Sequence, residues 1–211
     1  AASGLDPMVV YSTQRVYNGI AVLVAPEKVA SLLDQPGVKA IHPLISKSPS
    51  NSGSVPLIGA SLAWQYSYRG TGIKVGVIDT RIDYIHTDFG GPGTDYGSNV
   101  TTIIGDVPSF PGPKVAGGYD FCGDNYDAGG TYGSPVPVPD PDPMDCSAHG
   151  THVAGTLAGY GVNADGSQYA GPYDSTTPFS TMKIGPGSAP DASLYALRVF
   201  GCAGSTDLVA P

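Results

Sequence analysis

Residues 145–156, DCSAHGTHVAGT, decide how the chain is organised, because a histidine stands there among small residues directly before an apolar run. Gly, Ala, Ser and Thr on both sides of His149 predict a helix over residues 149–160 whose first turn lies against other backbone and presents the imidazole to a cleft. The helix dipole disfavours an imidazolium at its N-terminus, so we expect His149 to be neutral and able to accept a proton. A general base needs this state.

A second stretch, residues 73–80 with the sequence IKVGVIDT, is apolar except at Lys74 and closes on Asp79. Such a run is typical of a strand buried in a parallel sheet. Residues 114–121 form a weaker strand candidate, and residues 193–200 form a clear later one. Strands that alternate with helices predict the α/β class, with about three strands of a parallel sheet in this chain.

Residues 149–155, HGTHVAG, resemble the histidine motif of the subtilisin-like serine proteases, and residues 73–80 resemble the aspartate motif of the same family. The resemblance implies a parallel-sheet subtilisin-like catalytic domain in which Asp79 orients His149 and His149 is the base of an Asp-His-Ser triad. The family's serine lies in a Gly-Thr-Ser-Met-like run, which these 211 residues lack. We therefore expect the N-terminal part of a protease, inactive by itself, with the serine beyond the end of the chain.

The resemblance also implies a domain organisation. Residues 1–46 contain two strand-like runs, a short helix over residues 26–34 and a strand from Val38, and they resemble part of the family's inhibitory propeptide. An unrelated small α+β module is the alternative. Residues 47–55 are rich in Ser, Pro and Asn, which predicts a linker where processing would occur. Residues 56–211 would then begin the peptidase domain, with a short helix that carries Trp64.

Composition excludes several other classes. The net charge is -8 and no Lys/Arg cluster is present, which argues against nucleic acid and anionic membranes as partners. No apolar run reaches about 18 residues, so we expect no membrane span. Three cysteines fit a secreted, extracellular protein. Cys122 and Cys146 bracket a proline-rich loop, which predicts a bridge between them and leaves Cys202 for another partner; three reduced, buried thiols are the alternative.

Arg81 departs from the family, which usually has Gly at this position. If the position needs a positive φ, a side chain costs on the order of 1 kcal/mol or more. The guanidinium would also lie within reach of Asp79 and compete with His149 for it.

Metal binding has weaker support. His152 with Cys146 or Asp145 invites a zinc site, but zinc proteases place two histidines four apart with a Glu between them, so we predict that His152 is a buried packing residue. Asp88 resembles a residue that binds structural calcium in some relatives, which leaves such an ion open; no cofactor is required. A second acidic cluster is interpreted as a solvated loop; it consists of Asp140, Asp142 and Asp145.

These features predict a serine endopeptidase that acts on proteins or peptides and has its own propeptide as an intramolecular inhibitor. A non-catalytic binding protein derived from a protease is the alternative. A dinucleotide-binding domain fits poorly, because its glycines should follow the strand, whereas Gly70 and Gly72 precede it.

Overall fold

The computed structural model describes residues 7–14, 18–43, 51–203 and 206. The chain divides into two compact units, Ala1–Pro49 and Ser50–Pro211. None of the helices in the described residues combines the length and the apolar composition that crossing a membrane requires.

The first unit contains an antiparallel hairpin of β1, Met8–Thr13, and β2, Gly19–Leu23. Two 3₁₀ turns, Pro26–Lys28 and Ala30–Leu32, stand where the sequence predicts one short helix. The strand predicted from Val38 is wrong, because residues 38–43 have no regular structure. Most of these side chains are exposed, and β-propensity produces a strand only where one face can be buried against neighbours.

The second unit begins with two short helices, α1, Asn51–Leu57, and α2, Ala60–Gln65. Part of the predicted linker is therefore helical, since residues 51–55 lie in α1, while residues 47–50 lie outside the described part of the chain. The processing region at residues 47–55 stays a prediction. The helix forms here because Val55 is buried in an aromatic cluster. Most residues of that cluster are distant in sequence, so the local sequence pattern does not indicate this burial.

The predicted helix around Trp64 is present as α2, and it fixes that indole in the aromatic cluster. The Trp64 ring stacks on Phe179 at a centroid distance of 5.9 Å and meets the edge of Tyr173 at the same distance. Its Nε1 donates a hydrogen bond of 2.8 Å to the carbonyl oxygen of Ser188. The indole N–H, the one polar group of this side chain, is thus satisfied although the residue is buried.

Three parallel strands form the central sheet: β3, Lys74–Asp79; β4, Val115–Asp120; and β5, Ser193–Arg198. Their order is β3-β5-β4, and the register aligns both Asp79 and Asp120 with Arg198. The predicted α/β class and parallel sheet are confirmed. The register brings the carboxyl ends of all three strands to one edge.

Helix α3, His149–Ala158, packs on this sheet and confirms the helix predicted there. Ala154 and Ala158 share the main core with Val77, Leu194 and Ala196. Small residues allow the close packing that places the start of α3 at the carboxyl edge. Residues 121–148 connect β4 to α3 without a helix or strand, as the alternating prolines predict.

We expect Leu194→Ala to lower the free energy of unfolding by about 3 kcal/mol, because the side chain is completely buried in the central strand and its loss leaves a cavity. Urea unfolding followed by the fluorescence of Trp64, the single tryptophan, measures this change. Leu62→Ala in α2 is the matched control, with an expected change below about 0.5 kcal/mol because Leu62 is 61% exposed. Equal losses in the two variants would contradict the assigned core.

Candidate active site

Asp79 and His149, the two residues that the sequence predicts to act together, meet at the carboxyl edge of the sheet. Asp79 is the last residue of β3, and His149 is the first residue of α3. Nδ1 of His149 lies 2.8 Å from Oδ1 of Asp79, which also accepts a 2.6 Å hydrogen bond from the Thr80 N–H. The Asp79 side chain is 13% exposed and that of His149 is 71% exposed. The pair is thus anchored on its acid side and open on its imidazole side.

The pKa of His149 is raised from its ordinary value, first by the hydrogen bond with Asp79 and then by the charge of that carboxylate, with the charge of Asp145 acting in the same direction. The expected neutral state of His149 stays a prediction, but the direction of the pKa shift is opposite to the one that the helix dipole favours. A helix end carries only about half an elementary charge, whereas Asp79 places a full charge against Nδ1.

Gly150 allows α3 to approach the loop that follows Asp79. A Cβ at this position would lie 2.2 Å from the carbonyl oxygen of Arg81, a distance that no side chain tolerates. The N–H of Gly150 donates a hydrogen bond of 2.8 Å to the Thr80 hydroxyl. Backbone packing at one glycine thus fixes the distance between the strand that carries Asp79 and the helix that carries His149.

Two side chains for which the sequence predicted no capping role, Thr80 and Asp145, cap the start of α3. Ala148, which precedes the helix, has no side chain that could accept a hydrogen bond. Thr80 instead accepts from the N–H of Gly150, and Asp145 accepts from the N–H of Thr151 at 3.0 Å. An acid shortly before a predicted helix start is a known capping signal and could have indicated Asp145.

Arg81 does not compete for Asp79, contrary to the sequence expectation. Its backbone does adopt a positive φ of 127°, but its buried guanidinium points away from the pair. It donates to Asp120 and Asp124, at 2.6 Å each, and to the carbonyl oxygen of Met144. The backbone strain that a side chain causes here is thus accompanied by a buried ion pair with Asp120 and a partly exposed one with Asp124.

Arg198, at the end of β5, completes a charge cluster with Arg81, Asp120 and Asp124, of which Asp124 is half exposed and the other three are buried. Its Nη1 lies 2.6 Å from Asp120 and 2.8 Å from Asp124. Asp120 also accepts hydrogen bonds of 2.8 Å from the N–H groups of Cys122 and Gly123. Two guanidinium groups therefore face two carboxylates, which balances charge at a position where an unpaired ion would be costly.

The disulfide joins Cys146 to Cys202 rather than to Cys122, so the bridge predicted from the sequence is wrong. Cys122 is a free, buried thiol whose Sγ lies 3.3 Å from Asp120 Oδ1. Burial raises the pKa of this thiol. The prediction relied on the loop that two cysteines bracket, but the fold brings the loop before α3 beside the loop after β5 and leaves Cys122 without a bridge.

A cleft of about 560 Å³ lies beside α3, and its lining does not include His149. His152 lines it and is exposed, so its predicted burial is wrong. Asp88 lines it as a buried carboxylate that accepts a hydrogen bond of 2.6 Å from the Gly161 N–H, and burial raises its pKa to about 6. Among the described residues, neither His152 nor Asp88 joins two other His, Cys, Asp or Glu side chains in a metal-binding group. Calcium at Asp88 stays a prediction.

The acidic cluster before α3 is not the solvated loop that the sequence suggested. Asp142 is completely buried and accepts a hydrogen bond of 2.7 Å from the Tyr84 hydroxyl. Burial raises the pKa of Asp142 to about 6. Asp145 is partly buried and bonded to α3, and Asp140 forms a β-bridge with Asp120. These acids organise the loop that enters the helix.

A strand-end carboxylate bonded to a helix-start imidazole, on a parallel α/β sheet, is the arrangement that the resemblance to the subtilisin-like proteases predicts for Asp79 and His149. The model of the subtilase family, peptidase S8, matches residues 70–210, and the chain therefore belongs to this family.

Three relatives illustrate the similarity. The minor extracellular protease Vpr of Bacillus subtilis (strain 168) is 31% identical over 210 residues, which are 91% of this chain and 20% of the relative. Subtilisin DY of Bacillus licheniformis is 30% identical over 152 residues, 72% of this chain and 34% of the relative. Alkaline serine exoprotease A of Vibrio alginolyticus is 24% identical over 206 residues, 89% of this chain and 27% of the relative. The chain thus spans well under half of these relatives.

We expect Cys202→Ala to lower the free energy of unfolding by about 4 kcal/mol, because the bridge closes a loop with a sequence separation of 56. Cys122→Ala should cost only about 1 kcal/mol, since it removes one buried sulfur and no bridge. Thiol titration in denaturant separates the pairings: one free thiol in the wild type, none in Cys122→Ala and two in Cys202→Ala. A peptide that contains linked Cys122 and Cys146 would contradict the structure.

Proposed function

We propose that the protein is a subtilisin-like serine endopeptidase that hydrolyses peptide bonds of proteins or peptides, with Asp79 and His149 as two members of an Asp-His-Ser triad. The serine is proposed to lie outside residues 1–211, which contain no Gly-Thr-Ser-Met-like run. The observation that supports this most strongly is the 2.8 Å contact between Nδ1 of His149 and Oδ1 of Asp79 on elements of a subtilase fold.

In the proposed mechanism the two side chains have separate tasks. Asp79, held by the Thr80 N–H, accepts a hydrogen bond from Nδ1 of His149 and so fixes the tautomer whose Nε2 is unprotonated. Nε2 takes the proton from the serine hydroxyl as its oxygen attacks the peptide carbonyl, and it returns that proton to the leaving amine. Water then hydrolyses the acyl-enzyme by the same proton transfers. The Asp79 carboxylate stabilises the imidazolium that forms both when the acyl-enzyme is made and when it is hydrolysed.

Residues 1–46 are proposed to be the later part of an inhibitory propeptide, followed by a processing region at residues 47–55 and the peptidase domain from residue 56. The separate compact unit Ala1–Pro49 supports this division. The match to protease Vpr also supports it, because it covers 91% of the chain and so reaches upstream of residue 70. The propeptide would be the protein's own intramolecular inhibitor.

The protein is proposed to be extracellular. A relative named as a minor extracellular protease and the disulfide between Cys146 and Cys202 support this location. The net charge of -8 supports proteins or peptides, rather than nucleic acid or a membrane, as partners. No cofactor is required for this mechanism, and a structural calcium stays open.

Arg81 gives no support to the alternative of a non-catalytic binding protein, which a guanidinium that competes for Asp79 would favour. The guanidinium bonds to Asp120 and Asp124, so it leaves Asp79 available to His149.

Labelling with an active-site-directed fluorophosphonate tests the proposal. The product of the complete gene, freed of residues 1–55, should be labelled and should hydrolyse casein. His149→Ala in the same product should lose about 10⁶-fold in kcat, because the triad acts as a unit. The 211-residue chain should be neither labelled nor active.

His152→Ala is the matched control for the histidine substitution and should keep most of the activity, since His152 lines a cleft that does not include His149. Labelling of the 211-residue chain would contradict the assignment of the serine. A complete product that folds but neither reacts nor hydrolyses would favour the binding protein.

A further inference from the structure

Asp145 uses both of its carboxylate oxygens to join the two elements that carry Asp79 and His149. Oδ1 accepts hydrogen bonds from the Thr80 hydroxyl at 3.2 Å and from the Ser147 N–H at 2.9 Å. Oδ2 accepts from the N–H and the hydroxyl of Thr151, in the first turn of α3. One carboxylate therefore contacts the residue after Asp79 and the helix that begins with His149.

Thr80 makes this connection continuous. Its hydroxyl donates to Asp145 and accepts from the N–H of Gly150, while its own N–H donates to Asp79 Oδ1 at 2.6 Å. A rotation of the first turn of α3 away from the end of β3 would break the bonds of both Thr80 and Asp145. The hydrogen bond between Asp79 and His149 is then one of several parallel links, and the others do not involve the imidazole.

The peptide that contains Asp145 is itself held in place. The next residue, Cys146, is bridged to Cys202, and Arg198 Nη2 lies 3.4 Å from each of the two sulfurs. The preceding residue, Met144, is buried, and its carbonyl oxygen accepts a hydrogen bond from Arg81. The carboxylate thus projects from a segment fixed on both sides, as a residue that positions others requires.

We propose that Asp145 is a positioning residue for the Asp79–His149 pair: it holds the first turn of α3 against the strand end and adds a second negative charge to the surroundings of the imidazole. The consequence for catalysis rests on the proposed protease function, whereas the positioning does not. The ionisable groups that act on His149 are Asp79, by hydrogen bond and charge, and Asp145, by charge alone; both raise the pKa of His149.

The first test uses the 211-residue chain and needs no activity. Titration of the His149 Cε1–H signal by NMR should give a lower pKa in Asp145→Asn than in the wild type, because the amide keeps an acceptor oxygen but removes the charge. Asp165→Asn is the matched control and should leave that pKa unchanged, since Asp165 is exposed and bonded to Ser167. An equal pKa of His149 in wild type, Asp145→Asn and Asp165→Asn would overturn the charge part of the inference.

Thr80→Val tests the hydrogen-bonded connection while the charge of Asp145 stays. We expect the amide hydrogen of Gly150 to exchange at least 10-fold faster than in the wild type, because it loses its acceptor. Unchanged exchange at Gly150 would overturn the positioning part. Circular dichroism shows whether each variant is folded. Thr80→Val keeps a β-branched side chain of similar size, so it still tests the positioning if a variant of Asp145 does not fold.

The second test uses the complete gene product. Asp145→Ala should lower kcat by about 10- to 100-fold with little change in KM, because the reacting groups are displaced while substrate contacts remain. Asp145→Asn should lose less and move the acidic limb of the kcat/KM profile to lower pH, following the pKa of His149.

These outcomes separate the two proposals. A wild-type product without hydrolysis, together with the pKa and exchange changes above, refutes the protease function and supports the positioning. Normal hydrolysis with an unaltered pH profile in Asp145→Asn and unaltered kcat in Asp145→Ala supports the protease and refutes the positioning role.

Discussion

The carboxylate of Asp120, enclosed by two guanidinium groups, is the interaction on which the carboxyl edge of the sheet depends. It closes β4, contacts Arg198 at the end of β5 and contacts Arg81 two residues after the end of β3. A buried cluster of this kind adds little net stability over an apolar core, but removal of one partner costs about 3–5 kcal/mol, because the remaining charges are left uncompensated. The cluster therefore connects the three strand ends, and the end of β3 carries Asp79.

Arg81 shows how a departure from a family pattern can be accommodated. The position has a positive φ, which favours glycine, and the side chain instead extends into the space between Asp120, Asp124 and Met144. The backbone of the same residue lies against Gly150, so the conformation of Arg81 contributes to the distance between strand and helix. The guanidinium of Arg81 contacts the end of β4, and its backbone contacts the start of α3, so both parts of the residue help to hold the carboxyl edge of the sheet together.

How much the sequence could predict depends on the range of the interactions involved. The strands β3 and β5 and helix α3 carry their signals locally, as apolar runs or small-residue patterns, and the resemblance of two motifs identified Asp79 and His149. The helix over residues 51–57 was missed because Val55 is buried against Tyr169 and Tyr173, more than a hundred residues away. The pairing of Cys146 and the partners of Arg81 were missed for the same reason. The direction of the His149 pKa needed the distance to Asp79, which no pattern supplies.

The contact between Asp79 Oδ1 and His149 Nδ1 determines which ring nitrogen carries the proton, and the proposed triad depends on that tautomer. A long-range ¹H–¹⁵N correlation spectrum of the chain at a pH where His149 is neutral identifies the protonated ring nitrogen directly. We predict the tautomer with a proton on Nδ1, hydrogen-bonded to Asp79, and an unprotonated Nε2 that faces solvent. A spectrum in which Nε2 carries the proton, or in which the two nitrogens share it equally, would show that Asp79 does not orient the ring, and the proposed triad would lose its basis.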